Sequence, residues 1–341
     1  METIKLLDLI AVAVPGTMTG DETHQESNFG ALLEPKLRKV FYDEYKELPE
    51  QFSKIYHVKT SKKAKETDYG LGAFRQWTKF GNSGSKITGA DKMPSVEYQT
   101  ISAGVEKVYI HEEFASGFAV ERKFVDDEQY DVIMKLPKDL ARAGRYKVEE
   151  DAASLFNDAL SPSPKLKPYN NGDTGKAEML FSKTHSLIDS TKKCSNLIEG
   201  TLNANTLKDA LILSKKQLDE AGKLIVMNFD RLVVPPELEH MARVLIQSDA
   251  VPGSSNNDIN TLKGRLEIVV WDFLTGTNAC FLQASKDHEA NFFWRKKPEF
   301  NREKDFDTFV QKFNGYMRYS YGISDWRGFI AIKPVSASSG N

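Results

Sequence analysis

The run Arg231-Leu232-Val233-Val234, closed by Pro235-Pro236, restricts this chain more than any other stretch. A short apolar run rich in β-branched residues and bounded by proline suits a strand buried within a sheet. Pro236 also suits the first position of a following helix, where its missing N–H would have had no partner anyway. That helix carries Leu238, Met241, Ala242, Leu245 and Ile246 on one face. Before the strand, Leu207, Leu211, Ser214 and Leu218 recur at helical spacing. Asn205 or Thr206 is placed to cap that helix, and Gly222 to stop it. On this pattern Asp219 and Glu220 fall on the solvated side. Helix, buried strand, helix in so short a span demands a sheet to pack against.

The remaining chain mixes both periodicities. Leu33, Leu37, Val40, Phe41 and Tyr45 share a face, which predicts a helix over Leu32 to Tyr45 with Pro35 in its first turn. Residues 1–28 are polar and loop-like after their first turns. From Thr67 to Gly104 there are six glycines, with Phe74, Trp77 and Phe80 on no helical face. This predicts a long β-hairpin with its tip near Phe80 to Met93, too poor in core residues to bury itself and in need of a partner surface. Strands are expected within Glu106 to Glu121, at Met179 to Phe181, Leu266 to Trp271, Ala279 to Leu282 and Phe292 to Arg295. A helix begins after Asp126; Pro137 should break or kink it near Leu136, leaving Lys138 to Leu160 as the better helix. Phe309, Phe313, Met317, Tyr319 and Tyr321 alternate with polar residues in a long half-buried strand, and Gly328 to Ile332 returns as a buried one.

Chemistry-bearing motifs are thin. Gly172 to Ala177 lacks the spacing and the Ser or Thr of a phosphate loop, and His111-Glu112 is not a zinc motif because Ala115 stands where the second histidine would be. Gly81 to Ser85 lacks the spacing of a nucleophile elbow. Glu112-Glu113 and Glu149-Glu150-Asp151 are neighbours that point apart and read as solvated faces. The six histidines show no metal-ligand spacing, and the pattern calls for no metal and no cofactor. Cys194 and Cys280 form no CxxC pair; a bridge between them stays open, since the sequence does not say how near their Cα atoms come. Leu6 to Val14 is apolar behind Lys5, but Asp8 interrupts it, which argues against a secretion signal. No run approaches a membrane span. The net charge of −2 supplies no global attraction to nucleic acid. Two local basic clusters, Lys62-Lys63-Lys65 and Arg295-Lys296-Lys297, are candidates for contact with phosphate.

Leu232-Val233-Val234-Pro235-Pro236-Glu237-Leu238-Glu239, followed by Ala242 and Leu245, resembles tailed-phage major head proteins, most nearly the Mu-like major head subunit group. Leu180-Phe181-Ser182-Lys183-Thr184-His185-Ser186-Leu187 resembles a second signature of that group, and the order of elements is similar from about Asn28 to Pro334. The resemblance implies an α+β protein with the HK97-type capsid fold. It places an N-terminal arm over residues 1–60 and an extended hairpin loop over 61–104. It places a peripheral domain with the long helix over 105–204 and 306–327, and an axial domain over 205–305 and 328–341. It implies self-assembly into hexamers and pentamers of an icosahedral shell around double-stranded DNA, in the virion, built in the host cytoplasm with scaffold, portal and decoration proteins. Trp77, Phe80, Lys86 and Met93 become candidates for subunit contact, and Arg295, Lys296 and Lys297 for facing DNA. Lys79 and Lys86 have the residue type for the isopeptide weld some members make, but no motif accompanies them and no crosslink is expected. Two other classes stay open: an encapsulin-like compartment shell holding protein cargo, and a soluble enzyme with a cleft lined by His185 or His240.

Overall fold

The computed structural model describes residues 22–73, 104, 106–121, 123–124, 127, 130–160, 179–188, 190–251, 259–275, 279–304 and 310–334. Two helices come first in importance. Helix α1 spans Glu22–Glu47 and helix α2 spans Tyr130–Leu160. Helix α1 is longer than the sequence pattern predicts: residues 22–28 are helical, and Pro35 lies inside the helix, not in its first turn. Helix α2 runs through Pro137 without a break. Interior proline costs about 3 kcal/mol, but Ile133, Leu136, Leu140 and Ala141 pack on both sides of it against Leu33, Leu37 and Phe41 of α1. That packing holds the helix through the missing bond.

Strands β1 (His57–Thr60), β4 (Glu112–Val120), β11 (Ala290–Lys304) and β12 (Gln311–Ile323) form one sheet in the order β1-β11-β12-β4. Strands β7 (Leu197–Glu199), β8 (Arg231–Val234), β9 (Glu267–Val270), β10 (Cys280–Gln283) and β13 (Phe329–Lys333) form a second, ordered β7-β13-β10-β8-β9. Strands β2 (Lys65–Tyr69) and β3 (Glu106–Ile110) pair antiparallel as the root of the expected hairpin, and β5 (His185–Ser186) pairs with β6 (Lys193–Cys194). Residues 179–181 are not a strand, although Leu180 and Phe181 are buried. Residues 290–304 belong with β12 in the first sheet, and Leu197–Glu199 belongs with β13 in the second.

Period-2 alternation explains how the second sheet is filled. Phe329, Ala331, Val233 and Phe281 face Val148, Ala152 and Phe156 of α2. Ile330, Ile332, Leu232, Val234 and Leu282 face the other way, onto helices α3 (Ala204–Ser214) and α4 (Glu239–Gln247). Pro236 opens a 3-10 turn, Pro236–Leu238, that leads into α4, and Met241 of that helix is exposed while Ala242, Leu245 and Ile246 are buried. The cap of α3 is Asn203, whose side chain accepts from the Asn205 and Thr206 N–H groups in a capping box. This helix stops at Ser214, well short of Gly222, which sits in a turn at φ +75°.

Glu149 of α2 is 1% exposed and ties three segments together. It accepts from the Gln51 N–H at 2.7 Å, the Phe52 N–H at 3.0 Å and the Trp271 Nε1–H at 3.0 Å. Burial raises its carboxyl above the ordinary range, opposed by those donors and by Arg145. The expected solvated face is therefore corrected here: this carboxylate caps the 3-10 turn Phe52–Lys54 from inside the core. Glu149→Ala should destabilise the subunit by on the order of 3 kcal/mol, because it strands buried donors; chemical denaturation measures it.

The two connections between the sheets run side by side, with the Ser324 N–H on the Glu289 carbonyl at 2.8 Å and the Ala284 N–H on the Gly328 carbonyl at 3.0 Å. His288 lies in this joint. Its Nδ1 accepts from the Ala290 N–H at 3.1 Å, and its ring stacks on His57 at 4.0 Å. A Cβ on Gly328 would come within 2.6 Å of His288, so the backbone approach requires glycine. Burial, then the His57 and Arg231 charges, lower the His288 pKa from 6.5 to about 3. The unfolded chain takes up this proton where the folded chain resists it. Stability should thus be whole above about pH 6.5 and fall as the pH drops toward 3, by up to about 1.4 kcal/mol per pH unit. His288→Gln should flatten that acid slope in urea titrations run across the window.

Candidate assembly surface

The hairpin root lies across the first sheet. Tyr109 of β3 is buried edge-on against Phe293 of β11 at 5.0 Å, while Val108 and Ile110 beside it are 43% and 73% exposed. One side of the ladder therefore seals the sheet and the other offers apolar side chains to whatever lies above. Tyr69 of β2 is also exposed. Burial pushes the Tyr109 phenol up, and its hydroxyl pairs with Ser324 Oγ at 2.5 Å.

Polar contacts pin this root to the joint between the sheets. Asn291 Nδ2–H donates to Asp68 Oδ2 at 2.6 Å, and the Leu71 N–H donates to Asp325 Oδ2 at 2.8 Å. A Cβ on Gly70 would meet the Ser324 carbonyl at 2.8 Å, and one on Gly104 would run into the Gly70 backbone. The chain thus enters and leaves the hairpin through a crossing that only glycine fits.

Asp325 is also held by Arg327, a deeply buried cation. Arg327 is 1% exposed. Its guanidinium donates to Glu220 Oε1 at 2.6 Å, to Asp325 Oδ2 at 2.7 Å and to the Leu218 carbonyl at 2.7 Å. Burial works against its charge, but Asp325 and Glu220 more than offset this and raise its pKa. Glu220 Oε2 in turn accepts from the Ile188 N–H at 2.7 Å. Trp326 stacks on His185 at 3.9 Å, and Asn196 Oδ1 lies 2.8 Å from His185 Nε2. His185 is fully buried and acts as a packing residue, while His240 is exposed on α4, so the two line no common cleft.

Trp77, Phe80, Lys86 and Met93, the subunit-contact candidates, lie outside the described residues, as do Lys79 and the glycine loops at 81–85 and 172–177. Arg295, Lys296 and Lys297 follow Trp294 on β11, where the ladder to β12 carries a register shift. Lys296 pairs with Glu299 at 3.1 Å. Cys194 and Cys280 are buried free thiols, and burial pushes Cys280 up to about 12. Among the described residues no three His, Cys, Asp or Glu side chains form a metal site, and no helix is long and apolar enough to cross a membrane. The sequence missed Asp68, Glu220, Asp325 and Arg327: Asp325 and Arg327 stand two residues apart in no recognisable motif, and their further partners Leu71 and Glu220, like Asn291 for Asp68, are distant in the chain.

Residues 104–332 match the family model described as phage capsid protein. No curated protein matches the chain. Among solved structures it is similar to the capsid of Ralstonia phage GP4, with a TM-score of 0.53 and 13% identity over 84% of this chain and 89% of that one. It is also similar to the chain from Microbacterium phage Oxtober96, at 13% identity and TM-score 0.48 over 98% of this chain and 100% of that one. A third likeness is to the virus-like particle from Pyrococcus furiosus, at 11% identity and TM-score 0.49 over 88% and 98%. The GP4 likeness carries the fold, an α+β arrangement of HK97 type. The matched span takes in β4, β11 and β12 of the first sheet, the strands of the second sheet, the long helix and one arm of the hairpin root, and on that ground the chain belongs to the phage capsid protein family as a major subunit of the shell.

Proposed function

We propose that this chain closes, as hexamers and pentamers of itself, into an icosahedral shell around double-stranded phage DNA. The observation that carries the reading is the capsid-family match over residues 104–332, about two thirds of the chain, which takes in the long helix and most strands of both sheets. On this reading α1, α2 and the four-stranded sheet are the peripheral domain, and the five-stranded sheet with α3 and α4 is the axial domain. The hairpin over residues 61–104 laps over a neighbouring subunit, with Trp77, Phe80, Lys86 and Met93 as contacts. Val108 and Ile110, exposed at its root, continue that contact surface. The protein does no catalysis; its work is repeated association, in which symmetry multiplies weak contacts. It is a virion component assembled in the host cytoplasm with scaffold, portal and decoration proteins. The two segments Leu232 to Glu239 and Leu180 to Leu187 favour the Mu-like group within the family.

Deletion of Gly70 to Ala103 should leave a folded subunit, with the far-ultraviolet spectrum of the parent, that forms no closed particles in negative-stain microscopy. Particles of normal size from the deletion would refute the intersubunit role. Nucleic acid extracted from intact particles supports the phage head, and protein cargo without DNA supports a compartment shell.

A further inference from the structure

The two basic clusters are far apart in sequence, but the fold brings them to one corner. Strand β1 runs parallel to β11, with Thr60 opposite Trp294, and the Ser61 N–H then bonds the Trp294 carbonyl at 2.9 Å. Lys62 and Lys63 therefore leave the edge of the sheet just where Arg295, Lys296 and Lys297 begin. Arg318 joins them from the next strand, opposite Lys296. Lys62, Lys63, Lys296 and Lys297 are exposed. Three carboxylates sit among these cations: Glu66 on Lys63, Glu299 on Lys296 and Glu113 on Arg318. The corner stays positive in a chain whose net charge is −2.

The juxtaposed cations are what an anion would meet here. The Nε atoms of Arg295 and Arg318, cut off from solvent, have no acceptor among the described residues, as is also true of Arg145 Nε elsewhere in the fold. Dry guanidinium donors without an acceptor are uncommon in a settled fold. His111, which shares a hydrogen bond with Ser320 at 2.9 Å, reports the local field: burial and then Arg318, with Arg295 adding to it against Glu66, lower its pKa. Lysines on an edge strand also deter strand addition. That role does not account for Arg318, which lies on β12 between β11 and β4.

We propose that this corner, built from Lys62, Lys63, Arg295, Lys297 and Arg318, binds the phosphodiester backbone of duplex DNA without reading its sequence. The proposal rests on the reading of the protein as a shell that encloses DNA. Arginine supplies planar donors to phosphate oxygens, and the exposed lysines supply point charges along the strand.

The test uses the full-length chain and a fluorescent duplex in a salt titration. The triple variant Lys62→Gln, Lys63→Gln, Lys297→Gln should weaken binding about tenfold or more and lower the salt slope by nearly three, about one per lost phosphate contact. A control, Lys215→Gln, Lys216→Gln, Lys223→Gln, beyond α3, should leave both unchanged. Equal losses in the two variants, with circular dichroism showing both folded, would overturn the proposal. Inorganic phosphate that binds without displacing the duplex would overturn it too, assigning the corner to a free anion. Polyglutamate binding as tightly as the duplex would overturn it in favour of an acidic protein partner. Particle contents separate the two levels of the argument. Shells of the triple variant that carry DNA as firmly as the parent sink the corner alone. Parent shells that carry only protein sink the enclosing function.

Discussion

One buried guanidinium holds the architecture together. Arg327 sits in the connection from β12 to β13, and its partners are Asp325 in that same connection and Leu218 and Glu220 in the turn after α3. Glu220 brings in the turn after α3 and, through Ile188, the segment ahead of β6. Asp325 brings in Leu71 at the mouth of the hairpin. Removing a single partner from a buried charge of this kind costs roughly 3–5 kcal/mol, because the remaining charge is left dry. The same cluster therefore stabilises the body and sets the direction in which the hairpin leaves it.

Helix α2 provides the second common element. Its first half packs with α1 and the end of the four-stranded sheet, around Phe300 and Phe313. Its second half covers the five-stranded sheet, where Phe156 meets Phe281 at 5.2 Å and Phe329 at 5.3 Å. A helix that forms a wall of both sheets makes them one mechanical body. Glu149, midway along, adds the segment after α1 to that body. A shell subunit must meet slightly different neighbours at different lattice positions. A stiff, densely packed body keeps its core unchanged from one lattice position to the next.

Electrostatics divides along the same line. Inside, charges are few and paired, as at Arg327, or neutral, as at His288, whose carbonyl and Nδ1 are both occupied. Outside, the surface is mixed and close to neutral overall, so association is not opposed by large like-charge fields. The corner where β1 meets β11 gathers cations.

Local chemistry by itself determined several elements here. Val233 and Val234 before a double proline form a strand because β-branched residues fit a buried sheet and proline ends it. The alternation Phe313, Met317, Tyr319 marks β12, and the spacing Leu33, Leu37, Phe41 marks α1. The likeness to capsid proteins was readable in the same segments. Other features needed the tertiary structure. Asp219 and Glu220 look like solvated helix residues, yet both are buried, Glu220 against Arg327, 107 residues away, and Asp219 accepting from the Lys223 N–H. Helix α3 ends at Ser214 so that this turn can reach that arginine's site. Pro137 remains helical because α1 packs beside it, and residues 290–304 join the first sheet because β12 offers the longest ladder. The two lysine-rich clusters become one corner only through the parallel pairing of β1 with β11. Propensity and periodicity act over a few residues, whereas burial, ion pairing and strand partnership are settled by segments that meet only when the chain has folded.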